Sequence, residues 1–102
     1  MLLLIAFDLP TDTKEQRKNY RIFKKHLLED NAFMPIQKSF FYRWCNSGEK
    51  AENLKTEIQS ACPKEGNIFF LLVPQNVASK AELITDSIKN NTFLQMDPIC
   101  LI

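Results

Sequence analysis

Glycine is scarce in this chain, which has two glycines among 102 residues, and its five prolines are no more than an average share. Too few of these two residues are present for a collagen-like or low-complexity disordered chain. Hydrophobic residues make up 45% of the sequence and include eight phenylalanines, enough for a packed core. The length suits one compact domain over residues 1–102. Such a domain buries only about two thirds of its unfolded surface, so that dimerisation would add useful burial.

Paired cysteines and clustered histidines are also lacking. Cys45, Cys62 and Cys100 form no C-x-x-C pair, and His26 is the single histidine in the sequence. Structural zinc and disulfide redox chemistry need closer spacing and more ligands. We therefore expect three reduced thiols, and we expect His26 to lie on a helix surface without an acidic or cysteine partner.

The sequence has no long hydrophobic run that could span a membrane. Its opening apolar run, residues 1–7, is too short for a span, lacks a basic leader and stops at Asp8. We therefore expect a cytoplasmic protein with no membrane partner.

Positive charge is unevenly distributed, although the formal net charge is only +1. Residues 1–50 carry nine Lys or Arg side chains against six Asp or Glu, whereas residues 51–102 carry four against six. The cations are therefore concentrated in the first half of the chain.

Two continuous apolar runs predict buried strands. The first is residues 2–7, which ends before Asp8, and the second is residues 66–73. Short runs without polar alternation are typical of strands covered on both faces. We therefore expect both strands to be buried, including Phe69 and Phe70.

A helix is predicted to begin near Thr13 and to run to about Glu29. Capping-box spacing occurs twice at its start, at residues 12–15 and 13–16. Asn31 is expected to supply the left-handed residue that follows a helix end. One face of the helical wheel is apolar and predicts the core side: Tyr20, Phe23 and Leu27.

The remaining elements are less regular. Residues 33–45 are rich in aromatic side chains and predict a strand or a bent pair, with Pro35 at an edge or a bulge. A second helix is predicted over residues 50–61. The last predicted elements are a short helix at 75–82, a strand at 83–85, a polar turn at 89–91 and a strand at 93–102.

This order of elements predicts a ferredoxin-like α/β (α+β) sandwich, with one mainly antiparallel sheet and two helices on one face. No repeat or linker interrupts it. The hydrophobic end, residues 99–102, must be covered either by its own sheet or by a neighbouring subunit.

Asp8 is the first candidate for chemistry, because it is a carboxylate at the end of a buried strand without an obvious local cation. The alternative is an ordinary turn residue near Pro10. A Mg²⁺ ion needs several oxygen ligands, and only Asp12 adds another charge nearby. A metal site at Asp8 therefore depends on a symmetric dimer that brings in a second copy of it.

A cationic helix face is the second candidate. Six side chains crowd an arc of about 120° on the wheel: Lys14, Arg17, Lys18, Arg21, Lys24 and Lys25. Lys38 and Arg43 in the following strand extend this patch. Such a face can neutralise a row of phosphates, and the alternative is an ordinary solvated surface.

The aromatic strand is the third candidate. Residues 64–71 are similar to the strand of an RNA-recognition motif that stacks bases on an open sheet face. Core packing of Phe69 and Phe70 is the preferred interpretation, because the strand is apolar on both sides.

Together, four segments resemble the CRISPR-associated Cas2 family, particularly its type II form. They are residues 5–13 (IAFDLPTDT), 17–28 (RKNYRIFKKHLL), 37–41 (QKSFF) and 66–68 (GNI). The resemblance covers the chain from its first strand to about Val73 and is loose beyond that point. Where the family has a glycine before its second strand, this chain has Asn31 and Ala32.

The resemblance implies a ferredoxin-like homodimer whose C-terminal strand is exchanged between subunits. It also implies a role in CRISPR adaptation, the acquisition of spacers for antiviral defence, in which the dimer bridges integrase subunits and lies along duplex DNA. The family's functional aspartate corresponds to Asp8. Members are described as Mg²⁺-dependent endoribonucleases or deoxyribonucleases acting through that residue.

Three functions therefore stay open. The first is a non-cleaving scaffold for duplex DNA, and the second is a Mg²⁺-dependent endonuclease that uses Asp8. The third is a non-enzymatic RNA-binding module that stacks bases on Phe69 or Phe70.

Overall fold

The structure is a computed structural model that describes residues 1–84 and 89–90. Its elements are β1 (Leu2–Asp8), α1 (Lys14–Lys25), a π-helical turn (His26–Asp30), β2 (Met34–Gln37), β3 (Phe40–Trp44), α2 (Gly48–Ser60), β4 (Asn67–Val73), α3 (Gln75–Ala78), β5 (Leu83–Ile84) and β6 (Lys89–Asn90). No helix in this part of the chain is long and apolar enough to cross a bilayer.

The first four strands form one sheet in the order β2-β3-β1-β4, in which all neighbours are antiparallel. β1 lies in the interior of the sheet, and β2 and β4 are its edges. Apolar side chains of α1 and α2 pack against the same sheet face. This arrangement is the ferredoxin-like fold that the sequence predicted.

Alternate side chains of β1 build the main core on the side covered by the helices. Leu3 and Ile5 are 0% exposed and Phe7 is 6% exposed. The Phe7 ring meets Phe23 of α1 edge-on at 5.2 Å and stacks on Phe41 of β3 at 5.6 Å. These ring contacts hold α1 against the centre of the sheet.

The opposite side of the sheet carries no helix as long as α1 or α2, and we call it the helix-free face. Pairing of β1 with its neighbours puts these side chains on it: Leu2, Leu4, Ala6, Asp8, Phe40, Tyr42, Trp44, Phe69, Leu71 and Val73. Ala78 of the short α3 packs against Leu2 and Tyr42 and covers one end of it.

The expected burial of residues 66–73 was wrong for one face of the strand. Phe69 is 60% exposed and Leu71 is 46% exposed on the helix-free face, whereas Phe70 packs against the core. β4 is an edge strand with helices on one side only, so that its alternate side chains stay open. An unbroken apolar run cannot indicate which of its residues face solvent.

The start of α1 matches one of the two predicted capping boxes. Thr13 accepts a hydrogen bond from the Gln16 backbone N–H at 3.1 Å, and Gln16 accepts one from the Thr13 N–H at 3.0 Å. These bonds satisfy backbone groups that the first helical turn leaves free.

The end of this helix differs from the prediction. The α-helix stops at Lys25 and a π-helical turn continues to Asp30. Asn31 has a φ of −121°, and Ala32, with a φ of 55°, is the left-handed residue. Asn31 serves the helix end through its side chain instead, which donates to the His26 carbonyl at 3.0 Å.

The expectation that His26 has no acidic partner was wrong. Its Nδ1 lies 3.3 Å from a carboxylate oxygen of Asp30, and its Nε2 lies 3.2 Å from the amide nitrogen of Asn31. The imidazole is therefore held in a polar cluster. Cys45 and Cys62 form no disulfide within the described part of the chain, as predicted, and burial raises the pKa of the Cys62 thiol. Cys100 lies outside the described residues.

The aromatic segment is the bent pair, with a register shift between Pro35 and Gln37 at the sheet edge. Residues 83–84 form a strand, as predicted for residues 83–85, of which residue 85 lies outside the described part of the chain. The helix α3 is shorter than expected. Lys89 and Asn90, predicted as a turn, pair with Ile84 and Leu83 instead. The predicted last strand, residues 93–102, lies outside the described residues.

The two glycines give a matched test of this fold. A Cβ on Gly66, which has a φ of +98°, would lie 2.6 Å from the Asp8 carbonyl oxygen, whereas a Cβ on Gly48 would meet only Met1 Cε at 3.7 Å. Gly66→Ala should therefore lower the free energy of unfolding by at least about 2 kcal/mol. Gly48→Ala should leave it unchanged or raise it by up to about 1 kcal/mol. Urea denaturation measures both, and equal losses would contradict the assignment.

Candidate nucleic-acid interface and strand-end carboxylate

Asp8 is the last residue of β1 and is exposed. It pairs in register with Asn67 of β4 and lies on the helix-free face, two residues beyond Ala6. Gly66 precedes Asn67, and its lack of a side chain lets this backbone approach the Asp8 carbonyl. The fold therefore presents a carboxylate at one end of an apolar surface.

A single copy of the chain offers this carboxylate little help in binding a metal. No group of three His, Cys, Asp or Glu side chains that could hold an ion occurs among the described residues. Mg²⁺ commonly uses one or two carboxylates together with phosphate oxygens and waters. Asp8 fits that chemistry only as one ligand, to be joined by a second Asp8 or by phosphates.

The six predicted cations of α1 are all exposed. Lys14, Lys18, Arg21 and Lys25 follow helical spacing and form one row, which we call the cationic row, about 16 Å long. Among the described residues, Lys25 is the one member with an ion pair, to Glu29 at 3.8 Å. The row is therefore available to an anionic partner.

Arg17 has a second role beside this row. Its guanidinium Nη1 donates to the Thr11 carbonyl at 3.2 Å and to the Asp12 carbonyl at 3.1 Å. Arg17 thus shapes the loop that leads from Asp8 into α1. Lys24 is exposed beside the row.

Lys38 and Arg43, predicted to extend the patch, lie at opposite ends of the β2–β3 hairpin. Lys38 is exposed in the turn, next to Ser39, whose hydroxyl is 2.8 Å from that of Tyr20 on α1. Arg43 is half-buried, and its Nη1 donates to the Asn31 carbonyl at 2.8 Å. The hairpin therefore brings Lys38 towards α1 and commits Arg43 to a backbone contact.

Burial in the core was the preferred prediction for Phe69 and its strand, so the open apolar part of this region was not expected. Phe69, Leu71 and Met34 are 60%, 46% and 39% exposed. Met34 pairs with Tyr42, so that it shares the helix-free face with them. The pairing of an edge strand with its neighbour shows which of its apolar side chains lie on the open face, whereas an apolar run in the sequence does not.

Comparisons with known proteins find relatives of one family. The family model "CRISPR associated protein Cas2" matches residues 1–81. A "CRISPR-associated endoribonuclease Cas2" of Ligilactobacillus salivarius is 39% identical over 75 residues, covering 74% of this chain and 73% of that protein. The protein with the same description from Parvibaculum lavamentivorans is 41% identical over 76 residues and is matched over 74% of both chains.

A solved structure gives the same picture of the fold. The crystal structure of Streptococcus pyogenes Cas2 at pH 6.5 superposes with a TM-score of 0.62 and 23% identity, covering 83% of this chain and all of that one. At this identity the likeness supports the fold alone.

Proposed function

The chain belongs to the CRISPR-associated Cas2 family, and from this membership we propose that it acts in CRISPR adaptation as a homodimeric scaffold. In this role it holds duplex DNA for an integrase partner. The observation that carries the proposal is the cationic row on α1, which is exposed and almost free of ion pairs within the described chain.

A row of this kind suits the backbone of a nucleic acid better than its bases. Lysine and arginine on one exposed helix face can neutralise successive phosphates, which positions a duplex without reading its sequence. A scaffold that handles varied DNA needs this type of contact.

The helix-free face supports the homodimer. Phe69 and Leu71 expose large apolar side chains to water, and burying them against a partner is favourable. Leu4 and Ala6 continue the apolar surface between β3 and β4. A second copy presents the same surface, so that a two-fold axis can bury both copies at once. The axis also repeats the cationic row, which gives two sets of phosphate contacts on one duplex.

The cationic row is tested by salt dependence. In the double variant Lys18→Ala/Arg21→Ala, affinity for a blunt DNA duplex should fall at least about tenfold near 0.1 M salt, and the slope of log K against log salt should lessen by about 1.8 per protomer. Fluorescence anisotropy over a salt series measures both quantities.

Lys50→Ala/Lys80→Ala is the matched control, because it removes two exposed cations that lie off the row. Its affinity should stay within about twofold of wild type, since distant charges are screened. Equal losses in the two double variants would reject the row as the interface.

The dimer is tested by placing a charge on the helix-free face. Phe69→Asp would bury an unpaired carboxylate in the interface, and we expect the dimer dissociation constant to rise at least about 100-fold. Ile22→Asp is the control, because Ile22 is 56% exposed on α1 and lies off this face. Sedimentation equilibrium distinguishes them, and a dimeric Phe69→Asp variant would contradict the proposal.

A second candidate function is phosphodiester cleavage at Asp8. It is favoured by the exposure of that carboxylate and by the word "endoribonuclease" in the names of the relatives. Asp8 of each copy would hold Mg²⁺ together with substrate phosphate oxygens. The ion, when bound, would neutralise charge on the phosphate and activate water.

Asp8→Asn separates the two functions, because it removes the charge and keeps the shape. If Asp8 supports cleavage, Mg²⁺-dependent product formation from RNA or DNA should drop at least about 100-fold, while duplex binding stays unchanged. Product gels and anisotropy on the same protein measure the two effects. Undiminished cleavage by the variant would exclude Asp8 as its source.

A further inference from the structure

One pair of residues at the end of the β1–β4 ladder is polar, although the rest of the ladder on the helix-free face is apolar. Four directly opposed pairs of these strands lie on that face, and three of them are apolar. These three are Leu2 with Val73, Leu4 with Leu71, and Ala6 with Phe69. The fourth pair is Asp8 with Asn67. Residues opposed in this way in antiparallel strands have Cβ atoms about 4.5–5.5 Å apart, so that a carboxylate and a carboxamide are direct neighbours.

The fold fixes the direction of both side chains. In the adjacent pair, Phe7 is opposed to Ile68, and both side chains pack in the main core. Since side chains alternate along a strand, Asp8 and Asn67 both point to the helix-free face. A Cβ on Gly66 would lie 2.6 Å from the Asp8 carbonyl oxygen, so that a glycine here lets the two strands approach closely at this pair.

Both side chains are available to a ligand. Asp8 and Asn67 are exposed, and neither side chain makes a hydrogen bond or an ion pair with another described residue. The next pair on this face, Ala6 with Phe69, has no polar side chain that could compete for them. Two oxygen-bearing side chains therefore lie side by side, and the fold itself does not use them.

Carboxylate and carboxamide oxygens are both suitable ligands for Mg²⁺ and Mn²⁺. We propose that Asn67 is a metal ligand beside Asp8, so that each chain by itself holds one hydrated divalent cation at this end of the sheet. The other ligands are waters and, during cleavage, substrate phosphate oxygens. The sequence analysis made a metal site depend on two copies of Asp8, whereas the cross-strand carboxamide supplies a second ligand within one chain. This inference rests on the second candidate function, cleavage at Asp8.

The number of ions bound tests the proposal without any cleavage. The full chain is titrated with Mn²⁺, and free Mn²⁺ is measured by electron paramagnetic resonance. Binding should saturate at one Mn²⁺ per chain, whereas saturation at one Mn²⁺ per two chains would show a site shared by two copies of Asp8 and overturn the proposal. Asp8→Asn should weaken the affinity at least about tenfold, because ligand charge sets the affinity of such sites. Undiminished binding by that variant would overturn metal binding at Asp8 altogether.

The role of Asn67 is tested by two variants. Asn67→Ala removes the carboxamide and should weaken Mn²⁺ binding at least about fivefold, while duplex affinity measured by anisotropy stays unchanged. Asn67→Asp keeps the oxygen and adds charge, so that it should tighten Mn²⁺ binding at least about fivefold, a gain that loss of folding cannot produce. Asn53→Ala and Asn53→Asp are the matched controls on an exposed position of α2, and both should stay within about twofold of wild type.

Two results separate this inference from the proposed function. Wild-type Mn²⁺ affinity in Asn67→Ala would overturn the ligand role of Asn67, even where cleavage that depends on Asp8 persists. Binding of one Mn²⁺ per chain that depends on Asn67, in a protein that cleaves neither RNA nor DNA, would support the metal site and reject the nuclease.

Discussion

Burial of alternate β1 side chains beneath α1 and α2 is the interaction on which the other features of this protein depend. Leu3, Ile5 and Phe7 occupy the main core, where each fully buried apolar side chain contributes about 1.5–3 kcal/mol. Since β1 lies between β3 and β4, its register also fixes those strands. A shift of one residue would move this whole set to the other face of the sheet.

The same alternation determines where the chemistry lies. With Phe7 in the core, the next residue, Asp8, must lie on the helix-free face with Ala6. The carboxylate therefore shares a surface with exposed apolar side chains, and a two-fold axis through that surface near Asp8 would bring two copies of the residue together. This links the nuclease candidate to the dimer, whereas phosphate binding by α1 does not require Asp8.

A comparable constraint acts on α1. Phe23 and Leu27 are buried against the sheet, so that the cations on the far arc of the helix face solvent. The capping box and the contacts of Arg17 then set where the helix begins relative to Asp8. The cationic row thus has a fixed position on one rigid element.

Several features of the fold and of the candidate site could be predicted from the sequence, because they depend on local periodicity. The Thr13–Gln16 cap, the cationic arc, the bulge after Pro35 and the ferredoxin-like order of elements all follow from spacing within a few residues. The exposure of Phe69 and the pairing of Lys89 depend instead on which strand lies beside each residue.

The sequence by itself determined the fold class and the residues that carry charge, since hydrophobic periods and capping motifs are local properties. Only the tertiary structure decided that β4 is an edge with one open face and that Arg43 is committed to the Asn31 carbonyl. These outcomes depend on strand order and helix placement, which bring together residues far apart in the chain.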